Sequence, residues 1–363
     1  NIAISFIFCF PIIALRFLLF VCIVCVIISG KRIEIPLTVK KGNLWYMKKL
    51  TAVLLLFVLM LSFSACTPAP SGGGSREDTE KLRIVTTIFP PYDFARQVTG
   101  DNAELTMLLH PGAESHSYEP SPKDIIKIQQ SDIFIYVGGE SDKWVDEVLS
   151  SLDTESIRVI KLMDCVNALE EEHVEGMDEG HEDGEDGYEY DEHVWTSPKN
   201  AVLITEKINE AACEADKGNA SYYKERMQSY LETLKALDHS FTLAVKEAKR
   251  HVMVFGDRFP FRYFTDAYGL TYYAAFPGCS TETEPSAATL KFLIDKVRDE
   301  KIPYVFTIEM SDQKVADTIC EATGAKKLLF HSCHNVTKEE FESGVTYVSL
   351  MQENHKNLLA ALN

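Results

Sequence analysis

Three groups of histidines offer side chains suited to holding a borderline-soft metal ion. His116 lies in the run His110-Pro111-Gly112-Ala113-Glu114-Ser115-His116-Ser117-Tyr118-Glu119-Pro120. His193 stands in Asp191-Glu192-His193-Val194-Trp195-Thr196-Ser197-Pro198, and the third group is His331-Ser332-Cys333-His334. Neutral imidazole nitrogen suits zinc and its neighbours, and a closed site takes about four ligands. Taken singly, His116 and His193 read more readily as solvated loop residues. His331 is the stronger signal, because it directly follows an apolar strand pattern and has a cysteine and a second histidine beside it. No HExxH occurs. The helix-borne zinc hydrolase pattern, an ion beside a general base, is therefore missing. His110, His239, His251 and His355 belong to no motif.

The elements that must carry these residues alternate strand and helix. Strands are expected over Leu82–Ile88, Glu104–Leu109, Asp132–Val137 and Ile157–Lys161, with helices over Tyr92–Val98, from Ser121-Pro122, and over Asp142–Leu149. A second alternation has strands at His251–Phe255, Leu270–Ala274, Tyr304–Thr307 and Lys327–Phe330. Its helices are Phe261–Tyr268, Ser286–Glu300, Asp312–Thr323 and Thr346–Leu362. Between them, Ala220–Lys249 contains neither Gly nor Pro and repeats apolar residues at helical spacing, from Met227 to Val245. Such alternation argues parallel sheets. The expected fold is α/β: two lobes joined by a single long helix, with the metal site in the cleft beyond the carboxyl ends of the strands.

The net charge is −18 over 363 residues. Residues 170–193 alone hold 13 Asp or Glu and no Lys or Arg, leaving about −5 for the rest. A nucleic-acid partner is excluded on that balance, since phosphates need Lys and Arg to neutralise them. Of the nine cysteines, the five that follow Cys66 (Cys165, Cys213, Cys279, Cys320 and Cys333) form no CxxC, so a zinc ribbon or thioredoxin motif is ruled out there. Cys279 with Cys333 is the one disulfide pairing worth considering, and otherwise Cys333 reads as a small buried residue.

The front of the chain reads as address. Met47-Lys48-Lys49, the apolar run Leu50–Phe63 and Ser64-Ala65-Cys66 have the layout of a secretory signal. The ending resembles a bacterial lipobox, which makes Cys66 the expected lipidation site. The expected organisation is upstream translation or a membrane segment over 1–46, a lipoprotein signal over 47–66 and a flexible tether over 67–80. An N-terminal lobe follows over 81–218 with an acidic loop at 170–193, then a linking helix over 219–249 and a C-terminal lobe over 250–363.

The stretch His116-Ser117-Tyr118-Glu119-Pro120-Ser121-Pro122 resembles the first-ligand motif of the zinc and manganese ABC-transporter solute-binding proteins. His193-Val194-Trp195-Thr196-Ser197-Pro198 resembles their second-ligand motif. The two occur in the family's order, and the likeness spans roughly Leu82 to Leu362. It implies that His116 and His193 are metal ligands from the first lobe. In the second lobe the family's usual ligand position, before Tyr268-Gly269-Leu270, falls on Arg258, which cannot coordinate. Asp257 is the adjacent substitute, or else a helix cap. The last family ligand falls at or near His331, with His334 as the alternate. His173 and His181 make the acidic loop an accessory metal collector. The implied protein is a non-enzymatic, monomeric, lipid-anchored subunit on the extracytoplasmic side of the cell membrane, working with an ABC permease and its ATPase. Zn(2+) is expected over manganese or iron, because the ligand set is rich in histidine. A surface adhesin with a structural metal is the rival from another class.

Overall fold

The computed structural model describes residues 81–113, 118–177, 190–278, 280 and 284–363. The expectations for 1–80, including Cys66, and those for His116 and His181 lie outside them.

The first lobe runs β1 (Leu82–Thr86), α1 (Phe89–Thr99), β2 (Ala103–Met107), α2 (Pro122–Gln129), β3 (Ile133–Tyr136), α3 (Lys143–Ser151) and β4 (Arg158–Lys161). After it come α4 (Pro198–Ala215) and α5 (Ala220–Lys246). The second lobe runs β5 (Val252–Phe259), α6 (Arg262–Tyr268), β6 (Thr271–Pro277), α7 (Ala287–Asp299), β7 (Tyr304–Thr307), α8 (Lys314–Thr323), β8 (Lys326–Leu329), α9 (Lys338–Glu342) and α10 (Tyr347–Leu362). The sheets are β2-β1-β3-β4 and β6-β5-β7-β8. Every pair in both sheets is parallel. The lobes thus share one strand order, and both present the carboxyl ends where crevices form.

Local chemistry accounts for the boundaries. Ser121 caps α2 by accepting from the Asp124 N–H, and Asp124 bonds back in a capping box. Helix α5 buries Tyr223, Tyr230, Leu231, Leu234, Leu237, Phe241, Ala244 and Val245 along one stripe. At 1.5 Å per residue it is about 40 Å long. It stops at Lys246, short of the expected Lys249, because the Lys249 and Arg250 N–H groups turn to the last carbonyl of α10, on Leu362 (3.1 and 3.2 Å). Helix α5 packs on α4 and α1 of the first lobe and on α10 of the second. One continuous core runs through both lobes and includes Ile84, Phe94, Leu234, Phe255 and Tyr347. Apolar burial at about 25 cal/mol per Å2 therefore holds the lobes to each other as well as internally.

Strand β5 extends past its expected end at Phe255, through Gly256-Asp257-Arg258, with one extra residue in its pairing with β6. This is a bulge, which bends the strand and re-aims its side chains. Gly256 permits it: a Cβ there would lie 2.5 Å from the Ala316 Cα of α8.

Candidate metal centre

A cavity of about 150 Å3 lies between the lobes, lined by Ala113 and His193 on one side and by Arg258, Gly278, Glu309 and His334 on the other. Four of these residues sit at the carboxyl ends of the second sheet. Arg258 is on the bulged end of β5, Gly278 follows β6, Glu309 follows β7 and His334 follows β8. Ala113 lies in the segment that follows β2.

His193 is placed by short-range structure. The acidic segment is pinched at its base by an antiparallel bridge between Glu170 and Tyr190. Asp191 then accepts the His193 backbone N–H at 2.8 Å and faces its Nδ1 at 3.2 Å. Both residues are about 1 % exposed. Burial disfavours the imidazolium, but the charge and hydrogen bond of Asp191 outweigh it, with help from Glu192 and Glu171, so the His193 pKa is raised. A carboxylate on Nδ1–H leaves Nε2 as the lone-pair donor, the usual support for a metal-binding imidazole.

The second lobe brings His334, not His331, to the lining. The His334 ring centroid is 5.6 Å from that of His193 and 5.1 Å from that of Trp195. Its N–H donates to Ser332 Oγ at 3.2 Å. Ser332 in turn donates its N–H to Glu309 Oε2 at 2.7 Å. His331 is gripped elsewhere: Asn354 of α10 accepts its N–H and donates to its carbonyl, both at 2.7 Å. Its Nδ1 accepts the Cys333 N–H at 2.9 Å. In neutral imidazole that puts the proton on Nε2, which then has no lone pair for a metal. Cys333 itself is at φ 63°, a left-handed conformation rare for a residue with a Cβ, and this reverses the chain between the two histidines. The order of the two histidines drawn from sequence, His331 ahead of His334, is thus the opposite of their order at the cavity.

Asp257 is buried, and its carboxylate is engaged by the backbone. Oδ1 accepts from the Arg258 N–H at 2.9 Å and Oδ2 from the Ile308 N–H at 3.4 Å. Burial raises its pKa, against those bonds and one from Ser311. It lies outside the cavity lining, tying β5 to the end of β7, and it does not cap the following helix. His173 is exposed on the acidic segment. Cys333 carries a fully buried thiol, pushed up by burial, and the expected partner Cys279 lies outside the described residues. Among the described residues no group of three or more His, Cys, Asp or Glu stands close enough to hold an ion.

Three contributors carry weak sequence signals. Asp191 is marked only by its two-residue spacing from His193. Glu309 follows a short strand with no motif. Trp195 reads as core and is fully buried, yet its Nε1 donates across the lobes to the Ser332 carbonyl at 2.8 Å. Behind His334, a smaller cavity is lined by Thr87, Tyr118, Asp142 and Glu192. There burial pushes Asp142 up to about 7, although its carboxylate accepts from the Val137 and Gly138 N–H groups.

Residues 84–361 match the family model for the periplasmic zinc-uptake complex component A, ZnuA. The zinc-binding lipoprotein AdcA of Streptococcus pneumoniae is 33 % identical over 314 residues, covering 86 % of this chain. This chain spans only 60 % of the length of that relative. The high-affinity zinc uptake system protein ZnuA of Bacillus subtilis is 29 % identical over 310 residues, covering 85 % of this chain and 96 % of its own. Among solved structures, the Zn(II)-bound ZnuA-like domain of the pneumococcal AdcA superposes with a TM-score of 0.65 at 32 % identity, covering 78 % of this chain and all but 1 % of that domain (99 %).

Proposed function

Because the chain belongs to the ZnuA family of zinc-uptake components, we propose that it captures one Zn(2+) ion in the inter-lobe cleft and delivers it to an ABC permease driven by its ATPase. The observation that carries this reading is the pair His193 and His334, which face each other from opposite lobes across one cavity. His116, between β2 and α2 in the sequence, supplies a third imidazole in this reading. Three nitrogens leave one position for an oxygen donor, a set that favours zinc over harder ions. Capture and release need no reaction on a substrate. His173 and His181, within the acidic loop, act as a weak collector that raises the local ion concentration. Cys66 carries the lipid that keeps the protein on the outer face of the cell membrane, within reach of the permease.

Native mass spectrometry of intact protein purified without chelators tests the reading. One zinc per chain is expected, and His193→Ala should lose it. Manganese in the parent protein, or zinc fully retained by His193→Ala, would overturn the assignment.

A further inference from the structure

The pairing of His193 with Asp191 is local, but what holds Asp191 is not. Across the base of the acidic segment, the Asp191 N–H donates to the Leu169 carbonyl at 2.9 Å. In an antiparallel pair, opposing residues can exchange two such bonds. Here the second path runs through a side chain of the other lobe. The Leu169 N–H donates to the Tyr263 hydroxyl at 3.1 Å, and that hydroxyl donates to the Asp191 carbonyl at 2.8 Å. Tyr263 stands in the first turn of α6 and is 3 % exposed. Burial pushes its phenol up to about 12, so it keeps the proton it donates. The same segment meets the second lobe further along. Glu172 pairs with Arg262 of α6 (3.2 Å), and its carbonyl accepts from the Tyr272 hydroxyl of β6 (3.3 Å). Gly176, at φ 81°, lies so close to Phe292 of α7 that a Cβ would stand 2.0 Å from the ring. The chain leading to His193 is thus strapped across the cleft to α6, β6 and α7.

We propose, resting on the zinc-capture reading above, that Tyr263 is a positioning residue that carries the closure of the lobes to the metal ligand His193. Its hydroxyl fixes the Asp191 backbone, and the Asp191 carboxylate fixes the histidine through its N–H and Nδ1 (2.8 and 3.2 Å). When the lobes part, α6 withdraws the hydroxyl, Asp191 loses its anchor and the His193 ring its orientation. The hold on the ion then loosens as the cleft opens, and release needs no separate trigger at the ligand. An orienting partner acts through the ligand it supports, so the loss of the Tyr263 hydroxyl and the loss of the Asp191 charge are not independent.

Tyr263→Phe tests this in the full chain, since it removes both hydrogen bonds and keeps the ring. Zinc affinity in chelator competition should fall about 10-fold, the low end for a group that supports a metal ligand. The loss should appear as faster zinc dissociation, and the visible spectrum of the cobalt-substituted variant should differ from that of the parent. Thermal unfolding of the metal-free variant should move little, because the Leu169 N–H and the Asp191 carbonyl flank one oxygen and can bond each other directly. In an Asp191→Asn background, Tyr263→Phe should add less than about 2-fold, since its route to the metal is already cut. Tyr272→Phe, which frees only the Glu172 carbonyl, should stay within about 2-fold of the parent. Unchanged affinity and cobalt spectrum in Tyr263→Phe overturn the positioning role and leave zinc capture standing, whether or not the unfolding temperature drops. So do losses that simply multiply in the double variant. No zinc binding by the parent overturns both.

Discussion

The two halves of the site are built in different ways. In the first lobe, His193 and the carboxylate that orients it are two residues apart, and both of their hydrogen bonds close within one turn. In the second lobe, His334 depends on Ser332, Ser332 on Glu309 of another strand end, and the neighbouring His331 on Asn354 of the last helix, each of the last two pairs separated by 23 residues. The first half is a local motif presented whole by the start of α4. The second is a convergence of strand ends that exists only once the sheet is assembled. Substitutions in the first half should therefore act on metal affinity directly, and those in the second should divide between affinity and stability.

The largest contrast is expected between the two second-lobe histidines. His334→Ala should cost zinc affinity by more than about 100-fold, since even the loss of a supporting partner reaches roughly 10–100-fold. Its effect on the metal-free fold should be small. His331→Ala should do the reverse: affinity within about 10-fold, with stability lowered by about 1–3 kcal/mol, because the buried Cys333 N–H loses its acceptor. Chelator competition and thermal unfolding of the metal-free variants measure both. A larger affinity loss in His331→Ala would return the ligand role to that residue.

An intermediate effect is expected from Asp191→Asn. The amide still accepts the His193 N–H but no longer supplies the charge behind Nδ1. Zinc affinity should fall by roughly 10–100-fold, with unfolding little changed. An unaltered affinity would mean that His193 is oriented by packing against Trp195 and not by the carboxylate.

The smallest effect on affinity is expected from Asp142→Asn, which tests the ground behind His334. A single oxygen, Oδ2, accepts from Val137, Gly138 and Thr87, so an amide oxygen can replace it. Burial raises the folded carboxyl to about 7, above its ordinary value near 4, so the native state holds the proton more tightly than the unfolded chain. Stability from this group is present at low pH and lost as pH rises from about 4 to about 7, at roughly 1.4 kcal/mol per pH unit. Denaturant titrations across that window should show the slope in the parent protein and not in Asp142→Asn, which should be the more stable above pH 7. An unchanged slope would show that Asp142 ionises normally.

Much of the architecture is readable from residue order alone. Alternating apolar strands and the uninterrupted stripe of α5 are local patterns, so eight strands and the long helix fall where the sequence places them. Helix α9 was open to the same reading, since Thr337 and Glu340 form a capping box, but its five residues are too short for apolar periodicity to mark. The end of β5 was not readable, because a bulge beside Gly256 continues pairing through residues that look like a loop.

Sequence was enough to expect an α/β fold with His193 at its cleft, but only because the run from His193 to Pro198 resembles a family motif; by itself His193 reads as a solvated loop residue. It was not enough to tell which of His331 and His334 lines the cavity. That choice rests on a left-handed turn at Cys333, which no cysteine announces, and on Asn354, which holds His331 from a helix 23 residues further on. Both are long-range consequences of packing α10 against the end of β8. A side chain's direction after a strand follows from such contacts and not from its distance along the chain.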